Sequence, residues 1–313
     1  MGIKNLIKLI NRYAPDSITR RRIFDYQNKV LGIDANLMLY KMVYAIRRNG
    51  YDLKNNDIIV THVHSMIQKL VAFKKYNIVP IFVFDGMPPA IKEQTLKDRK
   101  AFKTYMMQKY YKAVTQDEKK KYYYMKSDIT MDEIDDIKKL ISIYGYTYID
   151  SVEEADSQLA YMSKVGQLDG IVTDDLDILV FGGKIVLKNF SVAKNKWIDE
   201  INLDKLLDKL GIKLEQLIDI GILLGCDYCP TVTGVGPIKS YHMIKDHKDL
   251  QNLVNKGIIN LTIDWKHAKR YFLDPKVERD ITYKKGGINK NKLIDFLKEK
   301  QYDDKKIEEI LKR

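Results

Sequence analysis

Seven carboxylates in this 313-residue chain are the side chains best placed to do chemistry: Asp34, Asp85, Glu154, Asp156, Asp175, Asp177 and Asp227. The set is rich in oxygen ligands and free of histidine, which suits Mg²⁺, or Mn²⁺ as a substitute, and argues against zinc. Gathered in one crevice without compensation, such groups repel one another and their pKa values rise, a conflict that bound cations resolve. Two divalent ions about 4 Å apart supply an activated water, a charge-stabilised transition state and a stabilised leaving oxygen, which together hydrolyse a phosphodiester.

The elements that position these acids follow from the apolar pattern. Lys29 to Ile33, Ile78 to Phe84 and Gly170 to Thr173 read as buried parallel strands, each followed by a helix-like period. Tyr146 to Ile149 adds a fourth strand and Lys184 to Leu187 a fifth. This rhythm predicts an α/β fold with a mostly parallel central sheet and helices on both faces. The first strand runs into Asp34, the second into Asp85, and the third into Asp174, Asp175 and Asp177. Side chains just past the carboxyl ends of neighbouring strands converge on one crevice, so these acids form one constellation. The competing reading is that each Asp caps the helix it precedes, as Asp34 would for a helix from about Asn36 to Arg48. Glu154 and Asp156 fall in the first turn of a helix, where acids are favoured with or without a metal. Asp227 follows the helical stretch Leu214 to Leu224, where a carboxylate opposes the helix dipole unless a cation answers it.

Composition narrows the partner. With 54 Lys and Arg against 42 Asp and Glu, the net charge of +12 suits a polyanion such as nucleic acid, and suits a merely soluble surface as well. From Lys92 to Lys126, inside a Gly-free helical segment from Met87 to Ser127, 11 Lys and Arg face 4 Asp and Glu with seven Phe and Tyr interleaved. Cations that neutralise phosphates beside rings that stack on bases are a single-strand signature. A solvated helix with ordinary core aromatics is the alternative, though Tyr122, Tyr123 and Tyr124 cannot all face one core. Cys226 and Cys229 form a lone CxxC without a second ligand pair and read as reduced thiols, while His62 and His64 lack companions for a metal and fall on opposite sides of a helix from Asp57 to Tyr76. No apolar run reaches the roughly 18 residues of a membrane span, and no signal peptide or myristoylation pattern opens the chain, so a soluble intracellular protein is expected. Arg20-Arg21-Arg22 is too short to specify the nucleus.

Taken together, MGIKNLIKLI, GIDANLMLYK, FVFDGMPPAIK, EEAD, VTDDLDILVFG and ILLGCDYC with TVTGVGP resemble the flap endonuclease branch of the XPG-type structure-specific 5′ nucleases, in family order from Met1 to about Ile244. The resemblance implies a PIN-like 5′ nuclease fold: a nuclease core in two parts, 1–90 and 131–230, a helical arch over 91–130, and a helix-two-turn-helix with a C-terminal helical DNA-binding region over 231–313. It implies two-metal cleavage of branched or 5′-ended DNA by a monomer, with 5′-to-3′ exonuclease activity. An exonuclease or junction resolvase of the superfamily, a non-catalytic junction binder and a basic RNA-binding scaffold are the rival readings. By the same resemblance, Asp34, Asp85, Glu154 and Asp156 surround one metal, and Asp175, Asp177 and Asp227 serve the other. Lys92 and Arg99, seven apart on one helix face, reach the scissile phosphate. Tyr40 is the aromatic on which a base stacks, and Arg47 and Lys69 touch phosphates. Gly234, Gly236 and Lys239 grip the duplex backbone, with a potassium ion bound beside them. Asp156 stands where the family usually has Glu, one methylene shorter, and Asp174 also replaces a Glu. No sliding-clamp docking motif is evident.

Overall fold

Side chains on a β-strand alternate between faces, and here the alternation splits the apolar residues into two cores. Ile81, Val83, Ile171 and Val186 face one core, while Leu31, Ile33, Phe82, Phe84, Val172 and Leu187 face the other. The computed structural model describes residues 2–126, 128–261 and 264–313. Met1 of the start motif and Ser127, the last residue of the basic segment, lie outside them.

The strands are β1 (Ile18–Arg21), β2 (Val30–Asp34), β3 (Lys54–Asn55), β4 (Ile58–Ile59), β5 (Val79–Phe84), β6 (Thr147–Asp150), β7 (Gly170–Val172), β8 (Ile185–Lys188) and β9 (Ile198–Asn202). Among the described residues, seven of them form one sheet in the order β1-β9-β8-β7-β2-β5-β6, and β3 pairs with β4 in a small hairpin. The five strands from β8 to β6 run parallel, and β9 and β1 add an antiparallel edge. All five strands read from the sequence are present, shifted by a residue or two at their ends. The antiparallel edge was not legible, because ITRR and IDEIN are too polar to read as buried strands.

The helices in chain order are α1 (Leu6–Tyr13), α2 (Ala35–Arg47), α3 (Thr61–Lys75), α4 (Glu93–Lys112), α5 (Gln116–Lys126), α6 (Met131–Ile143), α7 (Ala155–Lys164) and α8 (Asp177–Val180). They continue as α9 (Leu203–Leu210), α10 (Leu214–Leu224), α11 (Pro237–His247), α12 (Leu250–Asn255), α13 (Trp265–Leu273), α14 (Lys290–Glu299) and α15 (Asp304–Lys312). Helices α1 and α7 to α13 pack on one face of the sheet, and α2, α3, α6, α14 and α15 on the other. Helices α4 and α5 pack along each other away from both cores; of α4 only Met106 is buried.

The chain after residue 231 therefore divides between the faces. Trp265, Ala268 and Phe272 of α13 join the first core, whereas Leu293, Phe296 and Leu297 of α14 cross over to lie against α6 in the second. Among the described residues no helix is long and apolar enough to cross a membrane. Because Phe296 is fully buried beneath α14, Phe296→Ala should cost about 3–5 kcal/mol. Urea unfolding should show one lowered transition; a separate early transition would mean that α14 and α15 form an independent appendage.

Candidate active site

Strand order does what the sequence alone could only suggest. The chain leaves β2 for β5 and β6 on one side and returns to β7 and β8 on the other, so the connections diverge between β2 and β7 and open a crevice at their carboxyl ends. Asp34 ends β2 and pairs with Val83, two residues before Asp85; Ile33 pairs with Val172, three residues before Asp175. Glu154 and Asp156 enter from the start of α7, after β6, and Asp227 from the turn beyond α10.

Hydrogen bonds tie these acids to the backbone around them. Asp34 caps α2, accepting from Leu37 N at 2.9 Å, while its other oxygen accepts from Thr173 Oγ1 at 3.0 Å. Capping and membership of the cluster are thus both true of Asp34. Asp85 accepts from Ala155 N at 2.9 Å, Asp175 from Asp177 N at 3.1 Å, and Asp177 from Ile3 N at 2.5 Å. Burial, reinforced by the charge of Asp85, raises the Asp34 pKa to about 7. Asp156 and Asp177 are also pushed well up, by burial first and then by Asp175 and their other acidic neighbours. Burial raises Asp175 as well, with Asp227 adding to the effect.

Two cations at the N-terminal end of α4 answer the remaining acids. Lys92 Nζ pairs with Glu154 and lies 3.0 Å from Asp227, and Arg99 Nη2 reaches both Asp227 oxygens at 2.7 Å. Burial alone would lift Asp227, but Lys92 and Arg99 outweigh it and hold the carboxylate below its ordinary range. These are the cations its place beyond a helix C-terminus called for. Glu154 stays raised because its burial outweighs the pull of Lys92.

As the side chains stand, no three His, Cys, Asp or Glu among the described residues form a set that would hold a metal ion. The reason lies in where the oxygens point: Glu154 and Asp227 face cations, and Asp34, Asp85 and Asp177 face backbone N–H groups. Even so, the donor types and the electrostatics fit a divalent ion. Asp156 Oδ1 is buried with no hydrogen-bond partner, and after burial the charges of Asp175, Asp34 and Asp177 raise the Asp156 pKa further.

Several contributors went unnoticed in the sequence. A Cβ on Gly2, whose φ is +77°, would lie 1.8 Å from Asp175 Oδ1, so the N-terminal segment packs directly on the acids and only glycine fits there. Gly86 is held as tightly: a Cβ there would meet Ser151 O at 1.8 Å, and its N–H donates to Glu153 O at 2.7 Å. Tyr228 donates its hydroxyl to Glu154. Gly2, Gly86 and Tyr228 all sit inside motifs already quoted, but motif membership did not say what they touch.

The other expected contact residues have mixed fates. Tyr40 lines the cavity between arch and core, near Lys92 and Arg99. Gly234 and Gly236 precede α11, whose N-cap position Gly236 supplies no capping side chain, and Lys239 Nζ donates to Gly234 O at 3.3 Å. Lys69 is half-buried on α3 beside a small cavity with Lys41 and Phe190, and burial, with Lys41, lowers its pKa. Arg47 needs correcting as a phosphate contact. Its guanidinium is buried and bonds Asp52 at 2.8 Å, Glu133 at 2.6 Å and Asp128 O at 2.8 Å, so its charge is already spent inside the protein. Asp174, whose role the sequence left open, pairs with Lys41 and accepts from Asn189 N. His62 is buried against Asp136 at 2.9 Å while His64 is exposed, as their spacing required.

Comparison with known proteins adds an independent line. The XPG N-terminal domain matches residues 1–106 and the XPG I-region matches residues 145–227. The chain is 32% identical to flap endonuclease 1 of Lachancea thermotolerans and 32% identical to flap endonuclease 1 of Homo sapiens, in each case over its whole length and 86% of the relative. Among solved structures, it matches flap endonuclease-1 from Methanococcus jannaschii with a TM-score of 0.72 at 26% identity, over 96% of each chain. The catalytic core of Rad2 in complex with DNA substrate matches in fold, with a TM-score of 0.77 over 99% of each chain at 24% identity.

Two expectations follow from the geometry. Because the folded Asp34 holds its proton up to about pH 7 against an ordinary value of 3.8, the folded state binds more protons than the unfolded state across that window. Stability of the chelator-treated protein should therefore fall as pH rises from about 4 to 7 and level off above. Thermal midpoints should show a shallower fall in Asp34→Asn, and an unchanged slope would contradict the assignment. Arg47→Ala leaves Asp52 and Glu133 unpaired in the interior and should cost about 3–5 kcal/mol in urea unfolding; an unaltered midpoint would restore Arg47 as a free surface cation.

Proposed function

Because this chain belongs to the XPG nuclease family, we propose that it is a structure-specific 5′ flap endonuclease that hydrolyses phosphodiester bonds at single-strand/double-strand DNA junctions. The observation that carries this reading is the meeting of two features at one place. Beside the acids at the carboxyl ends of adjacent parallel strands, Lys92 joins Glu154 to Asp227 and Arg99 pairs with Asp227, and both cations stand at the foot of a basic, aromatic arch. A hydrolytic centre and a single-strand gateway thus share their boundary residues.

The family's nucleases depend on divalent metal, and magnesium, with manganese as substitute, is the cofactor this reading implies. Asp34, Asp85, Glu154 and Asp156 would hold one ion, and Asp175, Asp177 and Asp227 the other. Bound there, the ions would supply an activated water and stabilise charge on the attacking and leaving oxygens. The chain's own residues do the rest. Once the acids are neutralised, Lys92 and Arg99 turn from Glu154 and Asp227 to the scissile phosphate, where their charge favours the transition state. Tyr40 offers a ring for the base next to the cut. The uncapped N-terminus of α11, with Gly234, Gly236 and Lys239, binds duplex phosphates, and a potassium ion held there would add positive charge beside them. On nicked or gapped duplex the same centre acts as a 5′-to-3′ exonuclease.

Cleavage of matched flap, nicked, gapped and four-way DNA, with and without chelator, tests this directly. Flap DNA should be cut near the junction in Mg²⁺ or Mn²⁺ and left intact in chelator, and a protein that leaves it intact in both metals would falsify the reading. Asp175→Ala should lose cutting by several orders of magnitude while binding the junction within about threefold of wild type, because the loss is of transition-state stabilisation. Undiminished cleavage would remove Asp175 from the centre.

A further inference from the structure

Asp128 stands outside the acid cluster, where the return leg of the arch re-enters the core between α5 and α6. Its carboxylate joins two elements that otherwise flank an opening. Tyr40 of α2 donates its hydroxyl to Oδ1 at 2.8 Å, and Lys103 of α4 lies 2.5 Å from Oδ2. The backbone is fixed separately, because the Asp128 carbonyl accepts from the buried Arg47 guanidinium at 2.8 Å. Asp128 Oδ1 also accepts from the neighbouring Ile129 N at 3.0 Å, a local bond the carboxylate keeps while Tyr40 and Lys103 are exchanged for another anion.

The cavity these residues line, about 510 Å³, also takes in Lys92, Arg99 and Lys100 and leads from the arch to the acids. Lys103 follows Arg99 by four residues, on the same face of α4. A phenolic hydroxyl and an ammonium group converging on two oxygens of one anion are equally a donor set for a strand phosphate. The Lys103 and Asp128 side chains are 37% and 52% exposed, and a pair so exposed is weak enough for an incoming phosphate to displace it.

We propose that Asp128 is a gateway latch that occupies, in the DNA-free protein, the Lys103 and Tyr40 donors that a phosphate of the entering single strand takes, and so sets how strongly the arch favours DNA carrying a 5′ single-stranded arm. The proposal rests on the reading of the protein as a nuclease of junctions with such an arm. Asp128 is then a specificity-determining residue acting through Lys103, not a catalytic one.

Fluorescence anisotropy in chelator separates the outcomes, using a 5′-flap DNA and the same nicked duplex without the arm. Asp128→Asn keeps the acceptor for Tyr40 and removes the negative charge that faces the Lys103 ammonium. It should bind the flap about two- to fivefold more tightly, with a salt dependence steeper by about 0.7 in log–log slope, because in wild type the displaced Asp128 carboxylate takes up a cation that offsets the one released by that phosphate. Affinity for the armless duplex should stay within twofold. In a Lys103→Ala background the same substitution should have no effect, a coupling that a purely structural role would not produce. Unchanged or weaker flap binding by Asp128→Asn, equal changes on both DNAs, or persistence of the effect without Lys103 overturns the latch. Wild-type protein that neither binds nor cuts the flap overturns the nuclease reading and the latch with it; wild type that cuts the flap while the variants behave otherwise than stated overturns the latch alone.

Discussion

The interaction on which the rest depends is repulsion among carboxylates that the fold forces together. Placing acids at the ends of adjacent parallel strands puts Asp34, Asp85 and Asp175 within reach of one another, and partial burial removes the water that would screen them. Left alone, such a group neutralises itself by taking up protons, as the raised values for Asp34, Asp156 and Asp177 record. The surrounding structure supplies positive potential from several sources. Backbone N–H groups of Leu37, Ala155, Asp177 and Ile3 point inward, three of them in the first turns of α2, α7 and α8.

The strongest answer comes from the arch. Lys92 is mostly buried, which alone would lower its pKa, yet Glu154 and Asp227 hold it firmly protonated. The same pairs anchor α4 to the core, so the charge state of the crevice and the seating of the arch are linked. Substrate binding on this reading is an exchange of ionic partners: carboxylates release Lys92 and Arg99 as the acids are neutralised, and phosphates take them up. Asp128 extends that logic to the outer end of the cavity, where it engages Lys103.

Arg47 shows how the exchange is confined. With Asp52, Glu133 and the Asp128 carbonyl around it, it fixes the point where the arch returns to the core, and Tyr123 of α5 adds a hydrogen bond to Asp52 at 2.7 Å. Buried ion pairs resist opening because each partner would be left as an unpaired interior charge. Exposed pairs along the cavity open readily. Helices α4 and α5 are therefore held by buried ion pairs where they leave and rejoin the core, and by an exposed pair along the cavity.

By itself the sequence determined the parallel strands, the acids that end them and the family, because apolar runs, strand ends and quoted motifs are local properties of the chain. Alternation along β5 and β2 already decided which side chains enter which core. Tertiary structure alone decided which partners meet. The family resemblance implied that Arg47 touches phosphate, and only the approach of α6 and the 128–133 segment showed its guanidinium to be interior. Gly2 and Tyr228 became parts of the site only when the N-terminus and the turn after α10 closed on the strand ends. Asp128 had no local signal for its role, since Tyr40 and Lys103 lie 88 and 25 residues away in the chain. Charge compensation is a sum over neighbours in space, so no window of sequence contains it.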